Sequence, residues 1–219
     1  MKKVLIWLMF AIPFAAFAQT PQIHMSATSP HSVILTCSAG AGTSPTGFNF
    51  FRGTTAGGES STPLNTAPVS TCAYTDTAVT AATTYYYTAT EIVGGVSSGP
   101  SNEVSGQITV FPPTGVSLSI NGSVGTVSWS PSSDASSAYN VYVGTAPGAE
   151  SATASNSSPV DAGCTNSSSC TYQLTGLTAG NTYYVTVKAV INGVLSTATA
   201  EVSGTVTVPP PTNLKMTVN

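Results

Sequence analysis

The stretch from Cys72 to Val110 recurs without a gap as Cys170 to Val208, and no other property of this sequence limits its fold as strongly. A fixed offset of 98 positions joins Cys72 to Cys170, Tyr85 to Tyr183, Gly95 to Gly193 and Glu103 to Glu201. Self-similarity at a constant spacing marks tandem units built on one plan. In each copy a tyrosine-rich run, Tyr85 to Thr90 and then Tyr183 to Lys188, leads through Gly94-Gly95 or Asn192-Gly193 into a final short run. Aromatic and β-branched residues bounded by such turns read as strands. No stretch carries the 3.6-residue period of a helix. The expected class is all-β, with two sandwiches in succession.

Shorter strands fill out each copy. In the first they are Gln22 to Ala27, Ser32 to Cys37, Gly47 to Arg52 and Val69 to Tyr74. Alternation over Gly47 to Arg52 turns Phe48 and Phe50 to one face and Phe51 to the other. Asp76 to Thr84 reads as a corner, with Asp76 as a turn cap. The second copy offers Gly115 to Ile120, Gly125 to Trp129, Ala138 to Val143 and Cys170 to Leu174. Phe111-Pro112-Pro113-Thr114 divides the copies, because adjacent prolines donate no ladder hydrogen bonds and stiffen the chain. The expected domains are therefore 19–111 and 112–208, preceded by a leader at 1–18 and followed by an incomplete third repeat or disordered tail at 209–219. In that tail Leu214, Met216 and Val218 alternate as a lone strand would, and a lone strand needs a partner. Donation of this strand to another subunit is one expectation; a truncated coding sequence with a disordered tail is the other.

The leader is read from Lys2-Lys3, the apolar run Val4 to Phe14 and the small-x-small site Ala16-Phe17-Ala18, which together form an export signal cleaved after Ala18. Its removal leaves Arg52, Lys188 and Lys215 against eight carboxylates, a net charge of -5. Three scattered cations make no phosphate-binding patch, so nucleic acid is excluded, and so is electrostatic docking on anionic lipid. Export to an oxidising compartment makes Cys37, Cys72, Cys164 and Cys170 candidates for disulfides. Three pairings are open; one bridge per domain, Cys37 with Cys72 and Cys164 with Cys170, is the expected one. Zinc is disfavoured, since the pairs lie in separate copies without C-x2-C spacing.

Val127-Ser128-Trp129, Tyr139-Asn140-Val141-Tyr142, the run Tyr172 to Tyr183 and Val185-x-Val187-x-Ala189-Val190 resemble a fibronectin type III domain. The resemblance covers both copies, roughly Pro21 to Val208, and implies tandem immunoglobulin-like β-sandwiches. It implies that Trp129 is the core tryptophan, Leu177 the packed corner leucine, and Tyr183 a corner tyrosine whose hydroxyl bonds back to the backbone. The first copy is similar to modules found in tandem in secreted bacterial proteins, and it departs at one place: Cys37 stands where the second copy has Trp129. A lost indole forfeits several kcal/mol of burial, and a disulfide to Cys72 on the neighbouring strand returns a few. Two free buried thiols are the alternative.

Chemistry is sparse. His24 and His31 are the only histidines, and neither lies in a nucleophile motif. Glu59, Asp76, Glu91, Glu103, Asp134, Glu150, Asp161 and Glu201 fall one by one along the chain, whereas a glycosidase needs two facing carboxylates. Glu91 occupies the inward register of Ala189, near a strand end through which it is expected to reach water. Calcium would want several acidic residues at short spacing. No catalytic residue, metal or cofactor is expected. Phe51 with Tyr86, and Tyr142 with Tyr184, are expected on outer faces, as a surface for a sugar or protein or as cross-strand pairs that steady the sheet. Asn121, Asn156 and Asn166 begin glycosylation sequons. The expected protein is a secreted, non-enzymatic adhesion, spacer or interaction module, its partner a protein or polysaccharide at the cell surface. A carbohydrate-binding region of a truncated extracellular hydrolase, or a filament subunit, is the alternative.

Overall fold

The computed structural model describes residues 20–28, 31–134, 137–160, 164, 169–208, 210, 212 and 215–217. The leader therefore lies outside the described residues, as do Asn166, Asp161, Leu214 and Val218. Every named element is a strand. The first copy holds β1 (Gln22–Thr28), β2 (Ser32–Ser38), β3 (Gly47–Gly53), β4 (Ala73–Asp76), β5 (Thr84–Val93), β6 (Val96–Ser97) and β7 (Val104–Gln107). The second repeats them as β8 (Thr114–Asn121), β9 (Val124–Ser130), β10 (Ala138–Gly144), β11 (Cys170–Leu174), β12 (Thr182–Ile191), β13 (Val194–Leu195) and β14 (Val202–Thr205).

Each copy builds a three-stranded sheet, β1-β2-β4 or β8-β9-β11, and a four-stranded one in which β5 or β12 is central. The registered pairs are antiparallel. By its internal contacts the chain divides into two compact units, the second of which takes in Ala78–Thr84 as well as Gln107 onward.

Alternation sets the cores. Along β3, Phe48 and Phe50 are buried, and so are Tyr85, Tyr87 and Ala89 on β5 and Val33 and Leu35 on β2. In the second unit Val127, Trp129, Tyr139, Val141, Val185, Val187 and Ala189 fill the same space. Burying each such side chain stabilises by about 1.5–3 kcal/mol. Trp129 meets Tyr139 edge to face at 5.4 Å between centroids. Leu177 is buried at its corner, and the Tyr183 hydroxyl accepts the Thr178 N–H at 3.0 Å. Both follow the resemblance.

The expected strand Val69 to Tyr74 is corrected by the structure. Val69 makes a two-bond bridge to Phe48 on β3, and only from Ala73 does the chain pair with β2 in the other sheet. Strand propensity is the same on both sides of that switch, but the partners differ. Val160 repeats the bridge, to Tyr139.

The segments before these bridges cover the outer edges of β3 and β10. Ser60 and Leu64 donate to the carbonyls of Arg52 and Phe50, and Ser151 and Ser155 donate to those of Val143 and Val141. Asn65 and Asn156 anchor the segments from inside. Asn65 accepts the Phe50 N–H at 2.9 Å and donates to the Phe48 carbonyl, Asn49 Oδ1 and the Ala67 carbonyl. Asn156 makes the matching set with Val141, Tyr139, Asn140 and Ser158. It is only 8% exposed, so the sequon it begins is closed to a glycan. Close approach fixes glycine at the end of both strands. A Cβ on Gly53 would sit 2.6 Å from the Gly58 carbonyl oxygen, and one on Gly144 2.5 Å from that of Ala149.

Two disulfides close the units, Cys37–Cys72 and Cys164–Cys170. Cys37 also donates its N–H to the Cys72 carbonyl at 2.8 Å, so this bridge lies across neighbouring strands.

Candidate functional site

The inward face of β3 does not end with phenylalanine. Arg52 shares the side of Phe48 and Phe50, and its Nη1 lies 2.8 Å from Asp76 Oδ2 on β4, in the opposite sheet. The Tyr87 hydroxyl donates to the same oxygen at 3.0 Å, and the guanidinium sits 5.1 Å over the Tyr85 ring. Asp76 is 3% exposed, and through Arg52 it ties the two sheets together. Burial, then the Asp76 charge and hydrogen bond, push the Tyr87 phenol well above its usual range. Burial opposes the charge on Arg52, but the hydrogen bond and attraction of Asp76 outweigh it, so the guanidinium is held charged above its usual value. Asp76 and Tyr87 are buried and Arg52 is partly exposed, and the bonds above tie Arg52 and Tyr87 to Asp76.

The carboxylates are less scattered than their spacing indicates. Gly57, in a left-handed turn at φ 65°, donates its N–H to Glu103 Oε2 at 2.6 Å. Burial, together with the neighbouring Glu103 carboxylate, raises the Glu59 carboxyl above its usual range. The second unit repeats the tether, Gly148 N–H to Glu201 Oε2 at 2.6 Å. Glu91 is fully buried and does not reach water; its Oε2 accepts the Gly40 N–H at 2.9 Å, which pins the loop before β3 across the strand end. Asp134 accepts the Phe111 N–H at 2.7 Å. Among the described residues no three of His, Cys, Asp and Glu gather at ligation distance, and no helix is long and apolar enough to cross a membrane.

On the outer faces the registers Phe51↔Thr88 and Tyr86↔Gly53 place Phe51 and Tyr86 diagonally on one side of the β3–β5 pair. Tyr142↔Thr186 and Tyr184↔Gly144 do the same in the second unit. Phe51, Tyr86 and Tyr184 are half-buried, and Tyr142 is only 7% exposed. Lys188, one diagonal further on, covers the Tyr142 ring with Nζ 5.1 Å from its centroid. Tyr142 therefore offers no bare face for stacking. It forms the floor of a groove of about 280 Å³ lined also by Glu150, Ser151, Thr186, Lys188 and Leu195. Lys188 was not singled out from the sequence. Its signal was there, as one of three cations outside the leader, in register with the face of Tyr142. Met216, in the tail, is 87% exposed.

Residues 111–205 match the family model described as Fibronectin type III domain. Among solved structures, a two-domain fibronectin type III segment of chicken tenascin is similar at 21% identity with a TM-score of 0.62, covering 85% of this chain and 98% of that one. The chicken interferon gamma receptor alpha chain is similar at 16% identity with a TM-score of 0.53, covering 87% of this chain and 100% of that one. No curated protein sequence matches.

Proposed function

We propose, for a chain whose second half is a fibronectin type III domain and whose first half has the same fold, an exported adhesion, spacer or interaction module without catalytic activity. Domains of this family typically serve as non-catalytic interaction or spacer units. One observation carries the reading: five of the eight acidic groups are tied into the frame. Asp76 joins two sheets, Glu91 and Asp134 hold loops, and Glu103 and Glu201 hold turns. What is left facing outward is a recognition surface on the β10–β12–β13 sheet. The two disulfides support an oxidising destination. The groove's mix of hydroxyl, carboxylate and ammonium favours a second reading, a carbohydrate-binding accessory region.

Expression of the tagged full chain in a bacterial host tests export. The protein is expected outside the cytoplasm, beginning at Gln19 and without free thiols by mass spectrometry. Purified, it is expected to be retained by at least one member of a panel of immobilised surface polysaccharides and surface proteins. Reduced cytoplasmic protein with its leader intact, or no retention on any member, would sink the proposal.

A further inference from the structure

Lys188 pairs with no carboxylate among the described residues. Its ammonium is held over the Tyr142 ring, so one side is shielded and the N–H donors on the other remain for a ligand. Glu150 also lines the groove, but its Oε1 is buried away from solvent and out of a ligand's reach. Ser151 and Thr186 add hydroxyls, and Leu195, 43% exposed, supplies an apolar wall. The volume, about 280 Å³, is near the small end of ligand sites and suits one ring rather than an extended oligomer.

These features select a ligand. A neutral sugar leaves Lys188 without a counter-charge. An acidic peptide side chain supplies the charge but brings no ring of hydroxyls for Ser151 and Thr186. A uronic acid residue carries a carboxylate, several hydroxyl donors and an apolar C–H face on a single ring. We infer that the outer groove of the second domain is a subsite for a uronic acid residue of an acidic polysaccharide. Lys188 takes the carboxylate, Ser151 and Thr186 take the hydroxyls, and Leu195 faces the C–H side. The first domain has Thr90 in place of Lys188 and Ser97 in place of Leu195, so it lacks the cation and the wall. The inference rests on the reading of the chain as an interaction module.

The test is titration of the mature chain with a galacturonic acid trimer, followed by NMR, alongside the trimer's methyl ester, an uncharged galactose trimer and a glutamate tripeptide. The acid trimer is expected to shift the Lys188 and Thr186 resonances. Removing a charge-assisted hydrogen bond costs roughly tenfold to a hundredfold in affinity, so Lys188→Met and the methyl ester should each bind at least about tenfold more weakly. Lys188→Arg should retain most of the affinity, and near-ultraviolet circular dichroism should show both variants folded. Equal binding of acid and ester, unchanged binding by Lys188→Met, or a glutamate tripeptide bound as tightly as the trimer overturns the assignment. The same preparation goes on the immobilised panel. Retention there without uronate binding removes this ligand and leaves the module reading standing; no binding in either removes both.

Discussion

Cys170 stands directly opposite Trp129 across the β9–β11 pair, at the place where the first unit sets Cys72 against Cys37. One cysteine position thus serves two solutions. In the second unit Trp129 and Cys170 are both 1% exposed in the core, and Cys170 turns to Cys164 for its disulfide. In the first unit the indole is gone and a cross-strand bridge replaces it.

The two bridges span 35 and 6 residues, and a longer loop restricts the unfolded chain more. Cys37→Ala with Cys72→Ala is expected to cost about 4 kcal/mol, and Cys164→Ala with Cys170→Ala about 2 kcal/mol. Urea denaturation checks this, with the fluorescence of Trp129, the sole tryptophan after the leader, reporting the second unit. Equal losses would contradict it.

Arg52, Asp76 and Tyr87 have apolar counterparts in Val143, Leu174 and Val185. Asp76→Ala takes the charge partner from the partly exposed Arg52 guanidinium and the acceptor from the buried Tyr87 hydroxyl, and is expected to cost about 1.5–3 kcal/mol. The triple replacement Arg52→Val, Asp76→Leu, Tyr87→Val copies the second unit's contact. It is expected to be neutral or stabilising by about 1–4 kcal/mol. A triple variant less stable than Asp76→Ala would show that the ion pair contributes net stability.

Asn65→Ala strips the Phe50 N–H of its buried partner, at about 1–3 kcal/mol, whereas the Phe48 carbonyl keeps the Val69 N–H. A comparable loss is expected from Asn156→Ala. Asn65→Asp keeps the acceptor but sets a carboxylate against the oxygens the amide served, so it should be at least as costly. In a glycosylating host the exposed Asn121 is expected to carry glycan and Asn156 none; a peptide map with occupied Asn156 would refute the burial argument.

Glu59 binds its proton more tightly folded than unfolded, through burial and the adjoining Glu103. Its contribution is therefore fully present below the ordinary glutamate range and is lost as pH rises through the raised folded value. Glu59→Gln stays uncharged at every pH. Its advantage over the parent in Tm of the first unit should grow from pH 4 to pH 8, and a pH-independent difference would count against the raised Glu59 carboxyl.

Alternation made much of this frame legible. The inward Phe48 and Phe50, the outward Phe51, and the inward position of Glu91 all follow from a period of two. Partners were not legible, because they come from other sheets and loops. Arg52 lies inward by the same alternation, yet Asp76 is 24 residues away in the opposite sheet. The strand end near Glu91 looked open, and only the fold brings Gly40 over it. Glu59 and Glu103 are 44 positions apart and meet through the turn at Gly57. Val69 is strand-prone, and nothing local says that it pairs with Phe48. The groove follows from Tyr142 and Lys188 only once the β10–β12 register is known.

The Arg52–Asp76 contact also bears on how two near-copies in one chain avoid exchanging strands while folding, the characteristic error of tandem repeats. If β10 took the place of β3, Asp76 would be shut in against Val143; if β11 took the place of β4, Arg52 would face Leu174. Either mispairing strands a charge without its mate, whereas each correct pairing satisfies itself. Divergence at this one spot works as a lock-and-key label that tells the copies apart.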